Sequence, residues 1–469
     1  MVDPLSALDA TAQHALVHSR DMSPLELVEA AVSRIAADRC NAIEACFAEH
    51  ARGEAGRPDL ADLPLGGVPF LLKDAGASLQ GLPQHLGSGL LRELRRCAPE
   101  TTPLAARLHA AGLICAGTSA MPEFGLQPTT QPIARGPVGN PWEPLRSAGG
   151  SSGGAAAAVA SGLVPIAHAS DIGGSIRIPA AFCGVVGLKA TRGRISSFPL
   201  VDPNLSEGMI CRSMRDAALV LDLLAGPEAG DPYSLDDQER PFAAAVAREP
   251  APLRIGFVTR VGGVPADPAC REAVLETART LEALGHRVDE VDLELADDAF
   301  VEQTFVSIAR ETSLMLEGIA GMLGRPIAPA DVEPYTWALG SLGAATSDAL
   351  HAQSQAYERV YTARVTAWWS AGHDVLLTPV TGRPAPLLAD LVPPAADPLA
   401  ILPAFRALWC FAQPFNITGQ PALSVPCGRT ADGLPIGVQL VAAHGGEDLL
   451  LGIGGQLERA TPWTFPAAI

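Results

Sequence analysis

Residues 147–195 read SAGGSSGGAAAAVASGLVPIAHASDIGGSIRIPAAFCGVVGLKATRGRI, and the fold turns on how this stretch is read. It holds two Gly-Gly-Ser turns, one at Gly149–Gly154 and one at Asp171–Arg177, joined by a run of small apolar residues. Glycine reaches backbone conformations closed to other residues and lets the main chain come close to a ligand. Successive N–H groups in such a turn converge on an anion or on a developing oxyanion. The bland alternative is a Gly-rich turn that only packs helix on sheet.

Outward from this centre the pattern alternates between strand and helix. Upstream, Val68–Leu72 in GGVPFLLKD (66–74) reads as a buried strand closing on Lys73 and Asp74. Thr102–Ala111 reads as helix and Leu113–Ala116 as strand, the alternation of an α/β sheet. Near the N-terminus, Ser23, Pro24 and Glu26 form a helix-start signature, followed by Leu25, Val28, Val32 and Ile35 at helical spacing. Downstream, strands are expected at Leu253–Val258, His286–Leu293, Val375–Thr378, Ala422–Pro426 and Ile436–Ala442, with an amphipathic helix at Asp267–Leu284. Residues from about 250 to 350 read as a more variable lobe over the centre. Gly226–Pro241 is polar and turn-rich, either a linker or a surface loop.

The composition fits a compact enzyme-like body, in one big domain or two ordinary ones. The chain has 469 residues, 48% hydrophobic and 18% charged, enough for a substantial buried core and incompatible with disorder. Its 46 glycines and 41 prolines are scattered without a period, which excludes a collagen-like repeat. Aromatics are only 5%, so the core rests on Ala, Val, Leu and Ile, and close approach of small-residue segments is expected. A formal charge of −18 argues against binding nucleic acid or anionic lipid. Nine cysteines without a CxxC pair point to a reduced, cytoplasmic setting, and neither they nor the ten histidines fall at metal-ligand spacing. No signal peptide or membrane span is read from the sequence.

A serine hydroxyl needs a base to become a nucleophile. His168 lies in the apolar run VPIAHAS and reads as a core or strand-edge histidine. A lysine can serve instead if burial lowers its proton affinity, and Lys73 at the end of an apolar strand is placed for that. Asp171 and Arg177 bracket Ser175 and read as a loop-shaping ion pair; Ser152 reads as a loop hydrogen-bonding group and Cys183 as core.

GGVPFLLKD (66–74), MPEFG (121–125), SAGGSSGG (147–154), SDIGGSIRIPAAFCGVVGLKAT (170–191), GQPALSVP (419–426) and DGLPIGVQLVA (432–442) together resemble the amidase signature family over nearly the whole chain. Within it, ATAQHALVHS (10–19), TRGRIS (191–196), PFNITGQPA (414–422) and GGEDLLLGIGGQLE (445–458) look most similar to the 6-aminohexanoate-cyclic-dimer hydrolase-like branch, which opens a cyclic amide. The resemblance implies an α/β fold with a large mixed central sheet flanked by helices on both faces. It implies a single domain over 1–469, a catalytic signature core at 66–195, and a lobe at about 250–350 covering the pocket. By the same resemblance Ser175 is the acylated nucleophile, Ser151 the bridging serine on a cis peptide, and Lys73 the base. The N–H groups of Ile172, Gly173 and Gly174, with that of Ser175 as a further candidate, would then form the oxyanion hole.

Met121, Leu126, Gln127 and Trp409 are candidate substrate-binding residues, and Phe305, Tyr335 and Trp337 are further candidate linings. No cofactor or metal is implied, and a homodimer is suggested by resemblance alone. Departures from the family pattern fall at Thr118-Ser119-Ala120, where Lys-Thr-Asn is common, and at Ala148 and Ala190, where Pro is common. The expected activity is hydrolysis of a small carboxamide. Two alternatives are the glutaminase-type subunit of a transfer-RNA-dependent amidotransferase, which PFNITGQP (414–421) fits less well, and a non-catalytic module holding a phosphate at a helix N-terminus.

Overall fold

The computed structural model describes residues 3–466 except 201, 237 and 263. Thirteen strands are described: β1 (Ile43–Cys46), β2 (Pro69–Lys73), β3 (Ile114–Ser119), β4 (Ile166–Asp171), β5 (Val186–Lys189), β6 (Ser206–Cys211), β7 (Arg254–Phe257), β8 (Arg260–Val261), β9 (Val264–Pro265), β10 (Arg287–Glu290), β11 (Val375–Pro379), β12 (Ala422–Arg429) and β13 (Pro435–Ala442). Eleven of them form one mixed sheet in the order β1-β3-β2-β4-β6-β5-β12-β13-β11-β7-β10, while β8 and β9 pair with each other. β3, β2 and β4 run parallel, as do β11, β7 and β10, and the strands between them pair antiparallel.

Side chains alternate across β2, which sets the two layers. Phe70 and Leu72 join one core with helices Pro103–Ala110, Met214–Leu224, Pro268–Ala283 and Glu447–Ala460. Leu71 joins the other core with helices Pro24–Ala36 and Gly153–Ala160. Lys73, two residues on from Leu71, therefore faces the second layer, under the start of the helix Gly153–Ala160. All eight residues of that helix are buried. Its close seating explains Gly154: a Cβ there would lie 2.4 Å from the Ala120 nitrogen and 2.5 Å from the carbonyl oxygens of Ala120 and Ala42.

Most of the expected elements are present with small boundary shifts. The Ser23 hydroxyl and Glu26 carboxylate form a reciprocal capping box on Pro24–Ala36. His286–Leu293 shrinks to Arg287–Glu290, an edge strand whose side chains are mostly exposed. Gly226–Pro241 is a surface loop tied to its neighbours: Arg107 donates to the carbonyls of Gly226 and Pro227, Ser196 Oγ to Asp231 at 2.9 Å, and Arg194 to the Asp236 carbonyl at 3.0 Å. The lobe expected at about 250–350 divides, because β7 and β10 are strands of the central sheet. The helices Asp298–Leu323 and Pro334–Ala345, which pack on each other, supply the pocket contacts from this region. All nine cysteines are unpaired. Among the described residues, no helix is long and apolar enough to cross a membrane.

Candidate active site

The site forms at the carboxyl ends of the parallel strands β2 and β4, where open α/β sheets leave a crevice. Lys73 ends β2 and is 2% exposed. Its Nζ lies 2.8 Å from Ser151 Oγ and 2.9 Å from Ser170 Oγ. Burial pushes the amine down to about 8, against the opposing pull of the Glu207 and Asp171 carboxylates. Ser151 follows a cis peptide bond from Gly150 and is itself buried. Ser175 is partly exposed at the pocket wall, and its carbonyl accepts from the Ser152 N–H at 3.3 Å, joining the two glycine turns. The Ser175 hydroxyl makes no hydrogen bond to another described residue.

Ser170 and Glu207 lay outside the sequence reading. Ser170 is the last residue of β4 before Asp171, and no motif marks it. Glu207 comes from β6, paired antiparallel with β4. His168 Nδ1 accepts from the Lys73 backbone N–H at 3.2 Å, which leaves Nε2 to donate to Glu207 at 2.9 Å. His168 is thus a satisfied interior histidine below the lysine.

Asp171 and Arg177, both fully buried, form a bidentate pair with two 2.9 Å contacts. Burial drives the Asp171 carboxyl up, but the Arg177 charge and hydrogen bonds, with help from Asn416, hold it well below the usual carboxylate range. Arg177 also reaches the Ala412 carbonyl, Gln439 and Asn416 at 2.6–2.7 Å. This hub corrects one expected role. The Gly174 N–H donates to Asp171 Oδ1 at 2.7 Å, so it is already spent and does not face an oxyanion. Ile176 N–H likewise goes to Asp171 Oδ2 at 3.0 Å. The N–H groups of Ile172 and Gly173 have no hydrogen-bond partner among the described residues.

A cavity of about 410 Å³ opens beside Ser175. Leu126, Gln127, Phe305, Tyr335 and Trp409 line it, together with Ile172 and Gly173. Two expected linings do not. Met121 is 2% exposed and its methyl packs beneath Gly125, because the chain turns at Pro122 and the side chain of Met121 ends up behind the wall. Trp337 packs with Leu316 and Ile319 in a satellite cluster. Cys183 is buried with Sγ toward the Ala148 carbonyl, and burial pushes its thiol far up, so it is no nucleophile. Glu44, Asp74 and His85 are the one trio of potential metal ligands grouped among the described residues. Their carboxylates are already engaged: Glu44 by Arg92 and Arg135 at 3.2–3.3 Å, Asp74 by the N–H groups of His85 and Gly87.

The amidase family profile matches residues 26–451. A 6-aminohexanoate-cyclic-dimer hydrolase from Pseudomonas sp. (strain NK87) is 40% identical over 475 aligned residues, covering 97% of this chain and 95% of that protein. Among solved structures, a 6-aminohexanoate cyclic dimer hydrolase complexed with substrate superposes with a TM-score of 0.94 at 38% identity over 99% of both chains. A bacterial aryl acylamidase of the amidase signature enzymes superposes with a TM-score of 0.89 at 28% identity over 98% of both chains.

Proposed function

The chain belongs to the amidase family and is an amide hydrolase, and we propose that it cleaves small carboxamides through an acyl-enzyme on Ser175. The observation that carries this reading is the buried Lys73 amine, 2.8 Å from Ser151 Oγ, beneath the loop that presents Ser175 to the cavity. Neutral Lys73 takes a proton from Ser151 as Ser151 takes one from Ser175, and Ser175 Oγ attacks the amide carbonyl. Ser151 then hands a proton to the leaving nitrogen, which is otherwise a very poor leaving group. Water enters by the reverse relay and releases the acid.

The free N–H groups of Ile172 and Gly173 are the oxyanion donors in this scheme, each worth about 3 kcal/mol by analogy with other oxyanion holes. The walls of Leu126, Phe305, Ile308 and Trp409 favour an apolar substrate body, linear or cyclic. The cavity lining has no Lys, Arg or His among the described residues, so nothing there meets the α-carboxylate of glutamine. That favours a stand-alone hydrolase over a glutaminase-type subunit. The nine unpaired cysteines support a reduced, cytoplasmic setting.

Fluorophosphonate labelling tests the proposal. One adduct on Ser175, found by mass spectrometry, is expected, and Ser175→Ala is expected to lose both labelling and cleavage across a panel of amides. Intact amide cleavage in Ser175→Ala would overturn it.

A further inference from the structure

The helices Asp298–Leu323 and Pro334–Ala345 build one wall of the cavity with Phe305, Ile308, Met315 and Tyr335. Among the described residues, two hydrogen bonds join residues 298–345 to residues 66–195, and both run through Glu333, the residue before Pro334. Its backbone N–H donates to Glu123 Oε2 at 2.7 Å, and its own carboxylate accepts from the Ile133 N–H at 2.6 Å. Glu123 is buried, and burial pushes both carboxyls up, Glu333 to about 7 with the Glu123 charge adding to the rise. A carboxyl group held out of water is costly unless hydrogen bonds offset it, and here the offset comes from backbone of the facing wall.

Glu123 belongs to MPEFG (121–125), a motif that the proton relay leaves unused. The short turn that carries it also reaches the reacting groups. Phe124 and Gly125 line the cavity, and a Cβ on Gly125 would lie 3.4 Å from Ser151 Oγ. Phe124 has a left-handed φ of 51°, a conformation that bulky residues keep only where their surroundings hold them. Its N–H donates to the Leu86 carbonyl at 2.8 Å, and its side chain packs against the cluster of Leu316, Ile319 and Val332. Three successive residues thus touch the helical wall, the cavity and the bridging serine.

We propose that Glu123 is a positioning residue, which fixes the helical wall relative to the turn over Ser151 and so sets the affinity for amides whose acyl chain reaches that wall. A short acyl group meets the Ser175 loop alone and gains little from the latch. This rests on the amide-hydrolase reading of the Ser175 cavity and assigns a task to a buried carboxyl outside the relay.

The test compares acetamide, butyramide and hexanamide in wild type, Glu123→Ala and Glu123→Gln. In Glu123→Ala the rise in KM is expected to grow with chain length, with kcat changing less than KM. The hexanamide-to-acetamide ratio of kcat/KM is expected to fall about tenfold, the size of one hydrogen bond to a charged group. Glu123→Gln keeps an oxygen for the Glu333 N–H and is expected to retain most of the wild-type ratio. If Glu123→Ala does not fold, Glu333→Pro carries the test, because it removes the same N–H, with the carboxylate on Ile133, at a φ of −65° that proline adopts. Hydrogen exchange along Pro334–Ala345 needs no turnover and is expected to quicken in Glu123→Ala and Glu333→Pro but not in Glu123→Gln. That exchange pattern in a protein that cleaves no amide would overturn the hydrolase reading and leave the latch standing. An equal loss for all three amides, or a ratio and an exchange rate unmoved in Glu123→Ala and Glu333→Pro, would overturn the positioning role.

Discussion

If Lys73 is the base, the rate of reaction at Ser175 must follow the neutral amine. A lysine titrating at about 8 is neutral in roughly one molecule in ten at pH 7, whereas one at its ordinary 10.5 is neutral in about one in three thousand. Burial therefore raises the population of base about 300-fold at that pH. The Glu207 carboxylate works in the opposite direction by favouring the ammonium. Glu207→Gln removes that charge and keeps an oxygen to accept from His168 Nε2. At an effective dielectric near 20 one charge is worth about 1–2 kcal/mol at separations of about 8–16 Å, which moves a titration by about one pH unit or slightly more.

The assay is the second-order rate of fluorophosphonate labelling of Ser175 from pH 6 to 10, because the probe has no titrating group of its own. Wild type is expected to rise to a plateau with an apparent pKa of about 8. Glu207→Gln is expected to move that limb to lower pH by about one unit, so that it labels several-fold faster than wild type at pH 7. A flat wild-type profile, or a limb that moves to higher pH in Glu207→Gln, would refute the reasoning.

Four further outcomes follow from particular contacts. The lowered proton affinity of Lys73 means the unfolded chain holds an extra proton between about 8 and 10.5, so stability rises with pH across that window and the full cost, about 3 kcal/mol, is present below it. Lys73→Met should thus be more resistant to urea than wild type at pH 7, with the difference gone above about pH 10, while labelling of Ser175 is lost. Ser170→Ala removes one of the two hydroxyls that orient Nζ; kcat is expected to fall about tenfold with KM nearly unchanged, and an equal rise in KM would speak against a positioning role. Asp171→Asn leaves Arg177 buried without its counter-charge and should cost about 3–5 kcal/mol, read as a large drop in unfolding midpoint. Gly154→Ala drives a methyl into the backbone of Ala120 and Ala42 and is expected to abolish soluble expression; a folded, active Gly154→Ala would show that the helix Gly153–Ala160 can shift.

Features encoded within one short segment were legible from the chain alone. The Ser23 capping box, the buried run of β2 and the Gly-rich turns each depend on neighbours within a few residues. The direction of a side chain in irregular backbone is different. Met121, Leu126 and Gln127 look alike as candidates, yet the turn at Pro122 sends the first behind the cavity wall and leaves the others on it. For Gly174 the signal is local: an aspartate three residues before a glycine at the end of a strand is placed to capture that glycine's N–H. Asp171 does so at 2.7 Å, which takes Gly174 out of the donor set and leaves the N–H groups of Ile172, Gly173 and Ser175 without a partner among the described residues.

What no local pattern carries is the environment that sets the proton affinity of Lys73. Ser151 and Ser170 reach its amine from the first glycine turn and from β4, and Glu207 acts on it from β6, two strands away in the sheet. The lowering comes from burial beneath the Ala-rich helix, and the opposing charges belong to residues that already have other partners, His168 for Glu207 and Arg177 for Asp171. Because Arg177 offsets most of the Asp171 charge, Glu207 is the carboxylate left to tune the base. A change at position 207, far from Ser175 in sequence and absent from the cavity lining, should therefore shift the working pH of the enzyme more than a change in any wall residue.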